Sequence, residues 1–255
     1  MILALDVGNT NIVLGCIDKG EIRSTVRMRT EENATGAEYA IKILDMLQFM
    51  NVRIADIEGT IIGSVVPPVT GALCEAATSI THKKCLVVGP GLKTGLNLKI
   101  DDPGTLGADL AVGGVAAIEY YSTPAIVIDL GTANTMTVID GQKSFLGGAI
   151  MPGIKLSFSA LAAGTSLLPD IYISETEKSI GTNTVDCMRS GAILGTASML
   201  DGMIDRMEEE LGEKCTLIAT GGLSRAVVPH CRHEIICDEE LLLKGLWILY
   251  KKNTK

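Results

Sequence analysis

The sequence predicts an α/β protein built from two related halves, and three observations carry that prediction. The segment Asp6-Val7-Gly8-Asn9-Thr10-Asn11 returns as Asp129-Leu130-Gly131-Thr132-Ala133-Asn134, with Asp, Gly and Asn in the same places. Each copy follows a short apolar run, Ile2–Leu5 or Ala125–Ile128, and leads into a second strand-like run that ends near an acid, Asp18 or Asp140. Around both copies, strand-like runs alternate with segments of helical periodicity, so an order β-β-β-α-β-α is roughly restarted. The 255 residues suffice for two domains of about 100–150 residues each. The boundary falls near Ser122–Pro124, giving halves at 1–122 and 123–255.

In the first half, Ile2–Asp6, Asn11–Ile17 and Glu21–Arg29 read as successive strands joined by turns at Gly8-Asn9 and Lys19-Gly20. Ala37–Met50 reads as a helix, because Ala40, Ile43, Leu44 and Leu47 recur on one face. Thr60–Val65 is a short buried strand stopped by Pro67-Pro68; Val69–Thr81 is a helix and Cys85–Val88 another strand. Gly89–Gly107 is a long connection of the kind that often carries function, and a helix follows over Leu106–Tyr121. The second half restarts at Ala125–Asp129, with strands to about Gly148 around a turn at Asp140-Gly141. Pro152–Leu168 is a helix and loop rich in small residues. Met188–Leu211 is a long helix whose apolar face is Ile193, Leu194, Ala197, Leu200, Ile204 and Met207. Thr216–Ala219 is a strand ending in Thr220-Gly221-Gly222, and Leu241–Lys251 is the last helix.

Composition narrows the function. A formal charge of −8 and only nine aromatic residues argue against a nucleic-acid partner. Seven scattered cysteines, odd in number and without CxxC, read as reduced core thiols of a cytoplasmic protein rather than a disulfide framework or zinc ribbon. His230-Cys231-Arg232-His233 reads as solvated surface. The chain opens on a strand pattern without a basic leader, and no apolar run reaches the ~20 residues that span a bilayer, so no membrane association is expected.

The repeated turn points to phosphate chemistry. Asp6 ends a buried strand, Gly8 permits a tight turn, and Asn9, Thr10 and Asn11 add polar side chains beside exposed backbone N–H groups. Such a set can wrap phosphate oxygens while Asp6 holds Mg²⁺, a hard ion that prefers oxygen; an ordinary Gly-Asn hairpin is the plainer alternative. A strand follows the turn, and neither GxxxxGK[ST] nor GxGxxG is present. In the second copy Thr132 offers a hydroxyl and Asp129 a second buried carboxylate. Asp109, in Gly107-Ala108-Asp109 at a helix start, is either a proton acceptor whose ionised form the helix dipole favours, or an unemployed N-terminal acid. Lys93-Thr94 and Gly147-Gly148 suit either a ligand-shaping loop or a structural turn, and Thr184 reads as a cap-region residue.

Two such hairpins facing across a cleft, with a late Thr-Gly-Gly turn, resemble the actin-like (ribonuclease H-like) ATPase and sugar-kinase superfamily. Within it, the chain resembles type III pantothenate kinases over nearly its whole length. The resemblance rests on Asp6–Asn11, Ser64-Val65-Val66-Pro67-Pro68, Gly89-Pro90-Gly91 with Lys93-Thr94-Gly95, Asp102-Pro103 and Gly107-Ala108-Asp109. It continues through Asp129-Leu130-Gly131-Thr132-Ala133, Gly147-Gly148 with Pro152-Gly153, and Thr220-Gly221-Gly222.

The resemblance implies a duplicated actin-like fold, two similar half-domains around an ATP cleft, and a homodimer. It implies ATP-dependent phosphorylation of pantothenate, the first step of coenzyme A synthesis, with Mg²⁺ and a monovalent cation, K⁺ or NH₄⁺. By position, Asp6, Val7, Gly8, Asn9, Thr10, Asn11, Ile12 and Val13 surround the ATP phosphates, and Thr132 contacts ATP. Asp109 is the proton acceptor and Asp129 the ligand of the monovalent cation. Gly107, Ala108, Asp109 and Leu110 line the pantothenate site, with Thr184 contributed by the partner subunit. One position departs from the pattern: Leu110 stands where the family carries arginine, and leucine offers no charge or donor to a carboxylate. That leaves, beside pantothenate kinase, a catalytically weak nucleotide-binding regulatory relative and a kinase for another small alcohol.

Overall fold

The computed structural model describes residues 1–173 and 178–254. The chain forms two compact units: Met1–Leu96 with Asp101–Glu119 and Glu240–Lys255, and Asn97–Ile100 with Tyr120–Glu239.

The first unit is a five-stranded sheet with helices on both faces. β1 (Ile2–Val7), β2 (Asn11–Asp18) and β3 (Glu21–Arg29) form an antiparallel meander, and α1 (Gly36–Phe49) follows. Thr35 and Glu38 close a capping box at the start of α1. β4 (Gly59–Ser64) runs parallel to β1, α2 (Pro67–Thr81) crosses back, and β5 (Cys85–Val87) lies parallel to β4. Pro67-Pro68 were expected to precede this helix; they open it instead, at positions where the absent N–H costs nothing. The strand order is β3-β2-β1-β4-β5. Leu3, Leu5, Val7, Ile12 and Leu14 share one core with Tyr39, Ile43, Leu47 and Leu73 from α1 and α2.

The other sheet face receives α3 (Ala108–Tyr120) and the last helix, α7 (Leu241–Asn253). Its core joins Ile2, Ala4, Ile17 and Ile61 to Val112, Val115, Leu243, Leu246 and Leu249. α7 sits close because glycines open both of its contacts: a Cβ on Gly15 of β2 would lie 2.7 Å from Leu243, and one on Gly245 of α7 itself would collide with the Val112 carbonyl of α3. The C-terminal helix therefore belongs to the first unit by packing, although it follows the whole of the second in sequence.

The second unit repeats the plan. β7 (Ala125–Leu130), β8 (Ala133–Ile139) and β9 (Ser144–Pro152) form the meander; β10 (Thr216–Thr220) and β11 (Ile236–Cys237) extend it in parallel beyond β7. The order β11-β10-β7-β8-β9 is that of the first sheet read from its other edge, with the two-residue β6 (Asn97–Leu98) added beside β9. The glycine pair Gly147-Gly148 lies within β9 beside a register shift, and a Cβ on Gly148 would strike the Met136 carbonyl. α4 (Ile154–Gly164) and α5 (Thr184–Leu211) cover one face, and α6 (Ser224–Val227) is a single turn.

α5 begins four residues earlier than its apolar periodicity suggests, at Thr184, because Asn183 caps it by accepting from the Asp186 N–H. Its buried face also includes two acids. Asp201 accepts from the N–H groups of Arg232 and His233, and Glu208 from Lys214 Nζ and the Cys215 N–H. The His230–His233 segment is thus tied to α5 rather than freely solvated. Of the cysteines, Cys16 and Cys85 are buried, whereas Cys187 and Cys237 are exposed, so not all are core thiols. Among the described residues no helix is long and apolar enough to cross a membrane.

Candidate active site

In the first unit, Asp6 pairs with Val13 on β2 and with Gly63 on β4. Alternation along β1 places Ile2 and Ala4 in the core under α3 and α7, and Asp6 continues that row. The turn after it is closed by the Gly8 N–H donating to Asn11 O at 3.0 Å. Thr30 braces the turn from β3: its N–H donates to Thr10 O at 3.1 Å and its hydroxyl to Gly8 O at 2.6 Å. No motif in the sequence singles out Thr30; its role depends on β3 lying beside the turn. Asn9 and Thr10 are exposed and Gly8 and Asn11 half-buried, while Val7 and Ile12 send their side chains into the core. Those two can serve a ligand only through the backbone.

Asp109 lies in the first turn of α3, on the same sheet face as Asp6. Gly107 immediately precedes that helix, and its carbonyl accepts the Ala111 N–H at 3.1 Å. A Cβ on Gly107 would come within 2.5 Å of Asp109 Oδ1, so the glycine makes room for the carboxylate to fold back. Val112, one turn further along, packs above Gly63, the β4 partner of Asp6: a Cβ built on Gly63 would lie 3.6 Å from Val112 Cγ2. Burial pushes the Asp109 carboxyl above the usual carboxylate range, opposed by the Leu110 N–H, which donates to Oδ1 at 2.8 Å. The helix start was expected to favour the ionised form; burial outweighs it. Leu110 is half-buried beside it. The Gly91–Leu96 loop is pinned to the end of α7: Asn253 bonds the Lys93 backbone twice, and Lys252 Nζ donates to Thr94 O.

In the second unit, Asp129 pairs with Thr135 on β8 and with Thr220 on β10. The Gly131 N–H donates to Ala133 O at 3.2 Å, and the Gly153 N–H to Thr132 O at 3.1 Å. Gly153 is seated against the Gly131 and Thr132 carbonyls, where a Cβ would not fit. Gly221, at φ +89°, closes over Asp129: a Cβ there would run into Asp129 Oδ1 and lie 2.6 Å from Leu130 N. Asp129, the Thr132 turn, Gly153 and Gly221 therefore form one cluster. Thr184 is not part of it; it lines a groove of about 450 Å³ between α4 and α5, with Ile154, Phe158, Leu161, Cys187 and Met188.

The two hairpins differ by one residue. Asp6 pairs seven residues on, with Val13, but Asp129 pairs six on, with Thr135. The matching asparagines are therefore not equivalent. Asn11 stands half-buried where β2 begins, whereas Asn134 is 1% exposed and pairs with Leu130 as Ile12 pairs with Val7.

A duplicated sheet order with an Asp-x-Gly hairpin in each unit defines the actin-like ATPase and sugar-kinase fold. The solved structures it resembles agree. They include a conserved putative Baf family transcriptional activator from Campylobacter jejuni (TM-score 0.62, 19% identity, covering 99% of this chain and 98% of that one). The activator of the 2-hydroxyisocaproyl-CoA dehydratase from Clostridium difficile, with bound ADPNP, matches at TM-score 0.55 and 12% identity over 98% of this chain and 93% of that one. The inorganic polyphosphate/ATP-glucomannokinase from Arthrobacter sp. strain KM matches at 0.52 and 16%, over 98% of each chain. At these identities the likeness is one of fold. Residues 2–206 match the type III pantothenate kinase family, and the chain belongs to it. It is a phosphotransferase.

Proposed function

We propose that this kinase transfers the γ-phosphoryl group of ATP to the hydroxyl of pantothenate, giving 4′-phosphopantothenate for coenzyme A synthesis. The observation that carries the reading is Asp109: a half-buried carboxylate with a raised pKa, on the sheet face to which Asp6 belongs. The attacking hydroxyl forms a bond to phosphorus as the β–γ bridging oxygen leaves with ADP, and the hydroxyl proton passes to Asp109. The Asp6–Val13 turn holds phosphate through backbone N–H groups and the side chains of Asn9, Thr10 and Asn11. Thr132 adds a hydroxyl to ATP.

The donor set fits the expected ions. Asp6 supplies a carboxylate suited to Mg²⁺, which would neutralise charge on the β and γ oxygens. Asp129, enclosed by Gly221, supplies one suited to K⁺ or NH₄⁺. Gly107 to Leu110 line the pantothenate site. A second copy of the chain covers the α4–α5 groove and receives Thr184 in its own site. Support comes from the apolar groove lining and from Leu167 and Tyr172 close by in sequence, 90% and 91% exposed. Sedimentation should give twice the monomer mass; a monomer at micromolar concentration would remove Thr184 from the substrate site.

Purified protein with Mg-ATP and K⁺ should release ADP only when pantothenate is present. Because Leu110 cannot pair with the carboxylate, KM for pantothenate is expected to be high. Leu110→Arg restores a charge-assisted hydrogen bond worth about 1.5–3 kcal/mol, so KM should fall roughly ten- to over a hundredfold with kcat little changed. Activity on another small alcohol, with no response to Leu110→Arg, would replace pantothenate as the substrate.

A further inference from the structure

The Asp6 turn carries no basic residue: from Asp6 to Val13 there is neither lysine nor arginine. Two carboxylates, Asp6 and Asp109, share its sheet face. A nucleotide polyphosphate brought there carries more negative charge than one divalent ion neutralises, so a further cation is needed. The register of the first sheet supplies one. Gly63, Asp6, Val13 and Arg27 are successive cross-strand partners on β4, β1, β2 and β3, so all four face the same side. One step nearer the turn, Arg29 is the partner of Asn11.

Both arginines are exposed and take no ion pair or side-chain hydrogen bond among the described residues. Arg23, left without a cross-strand partner at the irregularity in β3, differs: it is bound to Glu21 at 2.9 Å and to Asp18 at 3.6 Å. Two strand spacings put the Arg27 Cα about 10 Å from that of Asp6. An extended arginine and one phosphate group bridge such a gap. The residue after Arg29 is Thr30, whose two hydrogen bonds to the turn fix the end of β3 against it.

We infer that Arg27 and Arg29 are phosphate-binding residues of this kinase, supplying from the edge strand the positive charge that the turn lacks. The inference rests on the nucleotide reading of the Asp6 turn proposed above. Planar guanidinium groups suit the paired oxygens of a polyphosphate, and their pre-organised fork loses less order per hydrogen bond than a lysine ammonium would.

The test is titration of MgATP, MgADP and adenosine into wild-type protein and into Arg27→Ala, Arg29→Ala, the double variant and Arg23→Ala, with thermal melts as the check on folding. The double variant should bind MgATP about tenfold or more weakly, bind adenosine as before, and show a shallower salt dependence. Arg23→Ala should match wild type, and Arg27→Lys should recover part of the loss. KM should rise for ATP and not for pantothenate. A folded double variant that binds MgATP like wild type would overturn this inference alone; so would an effect confined to pantothenate. Wild-type protein that binds no MgATP would sink the nucleotide reading and this one with it.

Discussion

Asp109→Asn is expected to lower kcat by about 10²- to 10⁴-fold, the range that a positioned general base contributes, while leaving the fold intact. Asparagine keeps an oxygen that can accept the Leu110 N–H now bound at 2.8 Å, and it occupies the space beside Gly107. The pH dependence gives a second readout. Burial raises the Asp109 pKa, so the carboxylate takes up its proton at a higher pH than a free aspartate would. A base must be ionised, and the acid limb of kcat/KM should therefore lie above the usual carboxylate range. The stability sign is opposite to that of a salt-bridged acid. Between the unfolded value and the raised folded value the native state binds more protons, so this group makes stability fall as pH rises through that window. Asp109→Asn removes that dependence and should leave the protein no less stable at neutral pH. Unchanged turnover in a folded variant would remove Asp109 from the proton-acceptor role.

How much was legible in the sequence varies with the range over which each feature acts. The meanders could be read because strand alternation and the Gly8-Asn9, Lys19-Gly20 and Asp140-Gly141 turns are local signals. The return of α7 to the first unit could not. Its seats, among them Gly15 and Val112, are far apart in sequence and become one surface only when the sheet is assembled. The asparagine correspondence misled for a related reason. Identical letters kept their spacing while the second turn lost a residue, and a one-residue change alters which side chain faces the core. The acids on α5 escaped a purely apolar reading, because Asp201 and Glu208 are buried only by virtue of partners some 30 and 7 residues away. Asp6, Asp109 and Asp129 stood out as residue types in short motifs. The arginines of β3 did not, because only the strand register relates them to Asp6.

Gly221→Ala is expected to damage the second unit both by backbone strain and by collision, and Gly212→Ala separates the two causes. Both glycines have positive φ, +89° and +75°, so alanine at either costs about 1–2 kcal/mol of backbone strain. Around Gly212, at the end of α5, nothing lies within 4 Å of an added Cβ, and that strain is the whole cost. At Gly221 the Cβ meets Asp129 Oδ1 and the Leu130 backbone, both held in the central strand of the sheet. The Leu130 backbone cannot move cheaply, because β7 is paired on both sides, to β8 and to β10. Overpacking of this kind adds roughly 1–3 kcal/mol. Urea denaturation should therefore place Gly221→Ala below Gly212→Ala by that increment; equal losses would mean that Asp129 and Leu130 make room for the methyl group without cost. Any folded Gly221→Ala protein must displace the Asp129 carboxylate. If that carboxylate holds the monovalent cation, half-maximal activity should then need more K⁺, whereas Gly212→Ala should leave the K⁺ requirement where it was.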